Sequence, residues 1–298
     1  METFTIYHTF DIDQDFNPLS DDYYNRDGAH FNGFSEAMPL IIKALEGRDF
    51  SVFLRADYQI KKVYGSYGYL LEEYPDTVSR IIKSGGELNW HIHLYEEHQG
   101  SWKQIETSEL LCKRFKEDYE YVSKIDNINT KIVRVGECVM DNKLMHLMNG
   151  LCIDIDSTAL PQRKRDDAQK HFDWSTTTNT FYYPSIKDYR VSSTENVNLL
   201  EVPMTTVKMQ ASYDDEAYYR YINMSFKSDV LFQNMQEFIL KNATLLTITH
   251  PFEILQKGSH PLISYDISTL EENIKRLDEM VRACGKVPVY KKISDLLG

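Results

Sequence analysis

Two kinds of hydrophobic pattern alternate along the chain. Short apolar or β-branched runs predict strands, and segments whose apolar residues recur every three or four positions predict amphipathic helices. Strands are expected at Thr3–Phe10, Phe50–Leu54, Glu87–His93, Lys131–Val135, Leu151–Ile155, Leu199–Val202, Thr244–Thr249 and Val287–Tyr290. Helices are expected at Ser35–Glu46, Pro75–Lys83, Glu106–Ser123, Asp141–Asn149, Asp229–Lys241 and Ser268–Gly285, with another at the C-terminus. This alternation favours a mostly parallel sheet with helical crossovers.

Two stretches show neither the strand pattern nor the helical period. The segment from Gln14 to Asn32 is polar and aromatic and predicts a loop, and residues 161–198 predict loops over one face of the sheet. We find no internal repeat, low-complexity tract or linker in the sequence. We therefore expect one domain over residues 1–298, built from repeated strand–helix units, with a barrel as one candidate arrangement.

Composition narrows the class of protein. The chain of 298 residues has 42% hydrophobic residues and a formal net charge of −12. The negative charge argues against a general nucleic-acid or anionic-membrane surface, because such surfaces carry an excess of Lys and Arg. The N-terminus lacks a basic segment followed by an apolar one, and no run of about 18 apolar residues occurs. We therefore expect a soluble cytoplasmic protein with no signal peptide and no membrane span; its oligomeric state stays open.

The cysteines do not predict a covalent framework. Cys112, Cys138, Cys152 and Cys284 are widely spaced and form no Cys-x-x-Cys motif. In a chain of this length they resemble neither a disulfide scaffold nor a thiolate zinc site. We expect buried free thiols.

Two acids stand at the end of the first predicted strand, in His8-Thr9-Phe10-Asp11-Ile12-Asp13. Side chains alternate along a strand, so Asp11 and Asp13 project to the same side of an extended chain. In α/β sheets the C-terminal strand ends form the functional edge. The pair therefore indicates either a functional pair of carboxylates at that edge or a turn with two solvated acids.

Two histidines end the third predicted strand, in Asn89-Trp90-His91-Ile92-His93. The His-x-His spacing places both imidazoles on one face, within reach of one metal ion. A carboxylate is a common third ligand at hydrolytic zinc sites. The alternative is a surface strand end with two incidental histidines, and the acids at another strand end favour the metal. His98 lies beyond the strand and is expected to be solvated.

Two further polar residues end predicted strands. His250 is followed by Pro251, which prevents the strand from continuing. Histidine can give a proton to a leaving group near neutral pH, so His250 is either a general acid or a hydrogen-bonded structural histidine. Arg134 either orients a carboxylate by paired hydrogen bonds or forms a surface salt bridge.

Separated segments resemble the motifs of the polysaccharide deacetylase family, the NodB-like carbohydrate esterases. Thr9 to Asp13 resembles the family's Thr-Phe-Asp-Asp motif, in the spaced Asp-x-Asp form of its peptidoglycan-deacetylase-like branch. Gly86 to His91 resembles the stretch leading into the metal histidines, and Leu246 to Pro251 the closing Leu-x-x-His-Pro motif. Arg134 sits where the family carries an arginine that holds the base. Further segments follow the family's order, at Gly150 to Ser157, Phe172 to Trp174 and Glu201 to Pro203.

The resemblance implies an α/β fold, a distorted (β/α) barrel of about seven parallel strands. It implies a metal-dependent deacetylase that removes an acyl group from an N-acylated sugar or polysaccharide precursor, with metal-bound water as the nucleophile. A small molecule or oligosaccharide would be the substrate. The implied ligands of the divalent ion, expected to be Zn²⁺, are Asp13, His91 and His93.

The resemblance also implies roles for the other polar residues. Asp11 would be the general base, oriented by Arg134. His250 would protonate the departing amine, and Asp173 would tune His250. The family's histidines are usually four residues apart, and the equivalent position here is Tyr95, so His93 would replace the missing ligand.

Other functions stay open at this point. One is a non-catalytic carbohydrate-related protein on the same barrel with a degenerate metal site. Another is a metal-dependent hydrolase acting on a different amide, for instance a cyclic one. The absence of a visible signal peptide favours an intracellular sugar precursor or a lipopolysaccharide O-antigen intermediate over mature cell wall.

Overall fold

The computed structural model describes residues 2–15, 30–167 and 170–298. Most of the loop predicted from Gln14 to Asn32 lies outside these ranges. The strands are β1 (Glu2–Ile12), β2 (Phe50–Arg55), β3 (Gly86–Ile92), β4 (Tyr95–His98), β5 (Ser101–Gln104), β6 (Asn129–Val135), β7 (Ile155–Asp156), β8 (Lys164–Asp166), β9 (His171–Asp173), β10 (Leu200–Glu201), β11 (Thr206–Met209), β12 (Tyr218–Tyr221), β13 (Thr244–Thr249) and β14 (Lys286–Tyr290). The α-helices are α1 (Met38–Leu45), α2 (Tyr58–Tyr64), α3 (Tyr69–Glu73), α4 (Pro75–Lys83), α5 (Ser108–Val122), α6 (Asn142–Gly150), α7 (Ser228–Leu231), α8 (Met235–Lys241) and α9 (Ile267–Ala283).

One parallel sheet organises the described part of the chain. Its strand order is β10-β7-β6-β3-β2-β1-β13, with β14 also paired to β1. Strand β1 is long enough to pair with β14 through Glu2–Ile6 and with β2 through His8–Ile12, while β13 occupies its other edge. The sheet curls into a half-barrel, which confirms the predicted distorted (β/α) barrel of about seven parallel strands.

The central strands are buried on both faces. All six residues of β2 and the last five of β3 are buried. Parallel strands covered by helices have near-continuous apolar sequences for this reason. The burial extends to the polar C-terminal ends, where Arg55, His91 and Arg134 are at most 2% exposed. Such groups are costly to bury without partners, so this edge must supply them.

The predicted helices are present but differ at their ends, and the one predicted at the C-terminus is a short 3₁₀ helix at Ile293–Leu297. A short π-helical turn at Gly33–Ala37 precedes α1, and Pro39 near the start of α1 lacks the N–H that would continue one regular ladder from Ser35. The helix predicted over Asp229–Lys241 is divided into α7 and α8. Asn234, with a φ of 57°, lies between them in the left-handed region, which ends a helix.

The hydrophobic pattern of the sequence did not predict five features: the small antiparallel pairs β4–β5, β8–β9 and β11–β12, and helices α2 and α3. Residues 161–198 were predicted as loops, yet they include β8 and β9. These strands are three residues each and β8 is mostly exposed, so they carry little hydrophobic alternation. His98 is exposed on β4, as predicted.

Two other predictions concern the cysteines and the membrane. All four cysteines are free, as predicted, but the expected burial is only partial for Cys112, Cys138 and Cys284 and is wrong for Cys152, which is exposed. None of the described helices combines the length and apolarity needed to cross a bilayer.

Candidate functional site

The carboxyl ends of neighbouring strands bring most of the predicted site residues together. They line one cavity of about 320 Å³, within the size range of small-molecule sites. The predicted residues on its wall are Asp11 of β1, Asp13 after β1, His91 of β3, His93 after β3, Arg134 of β6 and His250 after β13. Asp173 is the predicted site residue that is not among them.

Asp13, His91 and His93, called here the donor cluster, place three possible ligand atoms together. The Nε2 of His93 lies 3.1 Å from Nε2 of His91 and 3.3 Å from Oδ1 of Asp13, and Nε2 of His91 lies 4.0 Å from Oδ2 of Asp13. Atoms bonded at about 2.0–2.1 Å to one tetrahedral ion stand about 3.3 Å apart. The observed separations lie around this value, so the donor cluster fits one divalent ion with small side-chain adjustments.

A backbone carbonyl sets the orientation of His91. The Nδ1 of His91 lies 2.9 Å from the carbonyl oxygen of Arg134. A carbonyl only accepts, so Nδ1 carries the proton and the lone pair of Nε2 faces the donor cluster. Burial lowers the pKa of His91 to about 4, which keeps the ring neutral at pH 7. A neutral imidazole with its second nitrogen held in this way is typical of a metal ligand.

Arg55, at the end of β2, is a site residue that the sequence pattern did not predict. Its Nη1 lies 3.2 Å from Oδ1 of Asp13, and its Nε donates to Oδ2 of Asp57 at 2.7 Å. Burial would raise the pKa of Asp13, but His93, Arg55 and His91 hold it well below its usual range. The available signal was a single arginine at the end of a mostly apolar strand.

Asp57 braces the backbone of His93. Its Oδ2 accepts from the backbone N–H of His93 at 3.0 Å, and its Oδ1 caps α2 by accepting from the N–H of Ile60 at 3.0 Å. This buried carboxylate therefore joins β2, α2 and the segment after β3. Its contacts fix the chain at the position where His93 must point toward Asp13.

The ring of His93 packs directly on Gly136. A Cβ at position 136 would lie 2.2 Å from Cδ2 and 2.3 Å from Nε2 of His93, so only glycine fits. The next two residues, Glu137 and Cys138, both have a φ of 58°, in the left-handed region. The hydroxyl of Tyr95 donates to Oε1 of Glu137 at 2.8 Å, so Tyr95 contacts Glu137 and lies outside the donor cluster.

Arg134 holds Asp11 in one position. Its Nη1 donates to Oδ1 of Asp11 and, at 2.9 Å, to the hydroxyl of Thr9. Its Nε and Nη2 donate to the backbone oxygen and hydroxyl of Ser157, each at 2.9 Å, and the guanidinium carbon lies 3.9 Å above the ring of Phe53. The structure thus brings together the predicted pair, in a geometry that would orient a base.

His250 also lies near the carboxylate of Asp13. Its Nε2 is 3.9 Å from Oδ2 of Asp13, and its Nδ1 is 3.4 Å from Oε1 of Glu253. The side-chain amide of Asn223 donates to both oxygens of Glu253, at 3.1 and 2.9 Å. Burial would lower the pKa of His250, but Glu253, Asp11 and Asp13 raise it to about 9. These carboxylates therefore favour the protonated form of His250.

Asp173 does not occupy the predicted place beside His250. Its Oδ1 accepts from the hydroxyl of Ser175 at 2.6 Å, and its Oδ2 accepts from Nη1 of Arg190 at 3.0 Å. Asp173 ends β9, and these local partners hold it there. The carboxylate beside His250 is Glu253, and its i,i+3 spacing in a short helical turn was the signal available in the sequence.

Sequence comparison finds no relative: no family model matches the chain, and no curated protein matches it significantly. Solved structures match over nearly its whole length. A protein from Mycobacterium smegmatis assigned as a polysaccharide deacetylase is 13% identical, with a TM-score of 0.53 over 99% of this chain and 89% of that chain.

Two other solved structures are more distant. A carbohydrate esterase family 4 pseudoenzyme from Bacillus anthracis is 10% identical, with a TM-score of 0.44 over 99% of this chain and 66% of that chain. A protein from Bordetella bronchiseptica assigned as a polysaccharide deacetylase involved in O-antigen biosynthesis is 12% identical, with a TM-score of 0.37 over 93% and 82%. The first match, together with the parallel half-barrel, shows that this chain has the fold of the polysaccharide deacetylases.

Proposed function

We propose that the chain is a metal-dependent deacetylase that removes an acyl group from an N-acylated sugar or polysaccharide precursor. Residues 1–298 would form one catalytic domain. The observation that carries the proposal is the donor cluster, whose three ligand atoms lie within 4.8 Å of one another. The deacetylase-like fold supports the proposal, whereas an O-antigen intermediate as substrate and a cytoplasmic location stay predictions from the sequence.

The donor set would suit a divalent ion, and two imidazoles with one carboxylate favour zinc. Bound there, the ion would polarise the acyl carbonyl and lower the pKa of the attacking water. The amide C–N bond breaks and a C–O bond forms to the acyl carbon, so one proton must leave the water and one must reach the amine.

The residues around the donor cluster suit these two proton transfers. Asp11, held by Arg134, would accept the proton from the water, because a carboxylate fixed in one orientation is ready to act as a base. The carboxylates around His250 favour its protonated form, and His250 would donate its proton to the departing nitrogen. Glu253 would stabilise the protonated ring from the opposite side.

A second function is favoured by one specific observation. The guanidinium of Arg55 already places a positive charge 3.2 Å from Oδ1 of Asp13. A cation there competes with a metal ion for the same carboxylate and repels it. A non-catalytic carbohydrate-related protein on the same fold, with a degenerate metal site, is therefore the alternative.

Metal analysis separates the two functions. We expect the purified protein, supplied with Zn²⁺ and then dialysed, to hold about one ion per chain. His93→Ala should lose it, because an Asp and one His remain. His98→Ala is the matched control, since His98 is exposed and outside the donor cluster. A wild type without stoichiometric metal would overturn the deacetylase proposal.

Activity gives the second test. We expect zinc-loaded protein to release acetate from N-acetylglucosamine oligomers or their activated precursors, and Asp11→Asn to abolish this release while leaving zinc bound. A ring-opened product from a cyclic amide, with no acetate from any N-acetylated sugar, would contradict the proposed substrate class.

A further inference from the structure

One wall of the cavity is rich in cations although the chain has a net charge of −12. Arg163, Arg165 and Lys170, from the loop before β8 and the β8–β9 pair, all line it. Lys170 forms an ion pair with Glu137, and Arg165 forms one with Asp167. Arg163 differs from both in its partners.

Arg163 has no carboxylate partner within ion-pair distance among the described residues. Its side chain makes one hydrogen bond there, from Nη1 to the carbonyl oxygen of Tyr219 at 2.6 Å. Its backbone is fixed by bonds to Leu160, at 3.2 Å, and to Trp174, at 2.8 Å. A guanidinium has five N–H donors, so Nε and most of the donors on Nη2 and Nη1 are available to a ligand.

The surroundings of Arg163 do not neutralise its charge. Burial lowers the pKa of Arg163, and the neighbouring Arg220 lowers it further. Arg220 is itself paired with Asp214, with both carboxylate oxygens 2.6 Å from its Nη2. Within the described part of the chain, this half-buried cation therefore has no counter-ion, and burying a cation in that way is costly.

We propose that Arg163 binds an anionic group of the substrate, so that this site takes an acylated sugar bearing a phosphate or a carboxylate. The proposal rests on the proposed deacetylase function and names its substrate class. The planar fork of a guanidinium matches both groups through paired hydrogen bonds, and the bond to Tyr219 fixes the fork in advance. Because Arg163 and the donor cluster line the same cavity, one sugar can reach both.

Equilibrium binding tests the proposal without turnover. The probes are N-acetylglucosamine 1-phosphate, N-acetylglucosaminuronic acid and neutral N-acetylglucosamine, titrated calorimetrically into the full chain in EDTA. We expect at least one anionic probe to bind about tenfold to hundredfold more tightly than the neutral sugar. The tighter of the two anionic probes identifies phosphate or carboxylate as the recognised group.

Substitutions of Arg163 and Arg165 show which residue causes the preference for anionic probes. Arg163→Gln should abolish the preference for the anionic probe and change the affinity for the neutral sugar less than about twofold, while Arg163→Lys should keep part of the preference. Arg165→Gln is the matched control, because Arg165 lines the same cavity and is already paired with Asp167. Far-ultraviolet circular dichroism checks folding.

Two results would overturn the proposal. One is equal wild-type affinity for anionic and neutral sugars, which needs no variant and so decides the matter even if Arg163→Gln fails to fold. The other is an equal loss for all probes in folded Arg163→Gln. Either result leaves the zinc and acetate tests untouched, so the substrate class and the deacetylase function fail separately.

Discussion

Two buried pairs of acids lie at the strand ends, and they differ in the groups that contact them. In the first pair, Asp11 contacts Arg134 and Asp13 contacts Arg55. In the second pair, Asp156 of β7 and Glu201 of β10 are neighbours in register. Each carboxylate of the first pair therefore has its own cation, whereas the second pair contains two acids beside each other.

The pKa of Asp13 is shifted in the opposite direction to those of Asp156 and Glu201. Cationic neighbours hold the pKa of Asp13 well below its usual range despite burial. Burial raises the pKa of Asp156 to about 6, and burial together with Asp156 raises that of Glu201 well above its usual range. Asp13 therefore keeps its negative charge at the donor cluster, while Asp156 and Glu201 favour holding a proton. Contact with a cation, rather than burial, makes the difference.

The largest effect should come from Arg134, which fixes Asp11 and lowers the pKa of Asp156. We expect Arg134→Gln to reduce the free energy of unfolding by about 3–5 kcal/mol, because it leaves a buried carboxylate without its cation. Arg165→Gln, at an exposed pair, should cost about 0–1 kcal/mol. Urea denaturation measures both, and equal costs would contradict the distinction.

A substitution at Gly136 should affect the donor cluster and spare the second pair. Gly136→Ala would place a methyl group against the ring of His93, which must move away from Asp13. We expect zinc affinity to fall by about tenfold to hundredfold, as when a group that orients a ligand is lost. Gly150→Ala is the control, since its Cβ would meet open space. Unchanged zinc titration in Gly136→Ala would contradict the need for this close contact.

The partner of His250 gives a smaller effect. Glu253→Gln removes the carboxylate 3.4 Å from Nδ1 of His250, so we expect kcat for acetate release to fall by about tenfold with little change in KM. Asp173→Asn should change kcat less than twofold, because Asp173 contacts Ser175 and Arg190 instead. A larger loss of kcat in Asp173→Asn than in Glu253→Gln would support the role predicted for Asp173.

The smallest effect concerns pH and the second pair. The pKa of Glu201 is raised in the folded state, so its contribution to stability is complete below its unfolded pKa and is lost as pH rises through its folded pKa. We expect the free energy of unfolding to fall between pH 5 and pH 8 by about 1 kcal/mol more in wild type than in Glu201→Gln. Denaturation at the two pH values measures this, and parallel profiles would mean that Glu201 holds no proton.

Much of the fold follows from local pattern. Seven of the eight strands of the parallel sheet overlap well with the predicted strands, whereas β7 at Ile155–Asp156 shares only Ile155 with the predicted Leu151–Ile155. Long buried strands such as β2 have a strong apolar signal. The strands β8 and β9 have three residues each and form through tertiary contacts over the cavity. Their sequences are too short to show the hydrophobic alternation that would predict a strand.

For the site, the sequence by itself determined which residues could share an edge. Alternation along a strand places Asp11 with Asp13 and His91 with His93, and parallel pairing aligns the strand ends. Only the tertiary structure decided the partners: Arg55 contacts Asp13 and Glu253 contacts His250, while Arg163 has no carboxylate partner among the described residues. The physical reason is the separation along the chain between the residues that are in contact. The bond from Arg134 to Asp11 joins residues 123 positions apart, and side-chain geometry at that separation is set by packing rather than by neighbours in the chain.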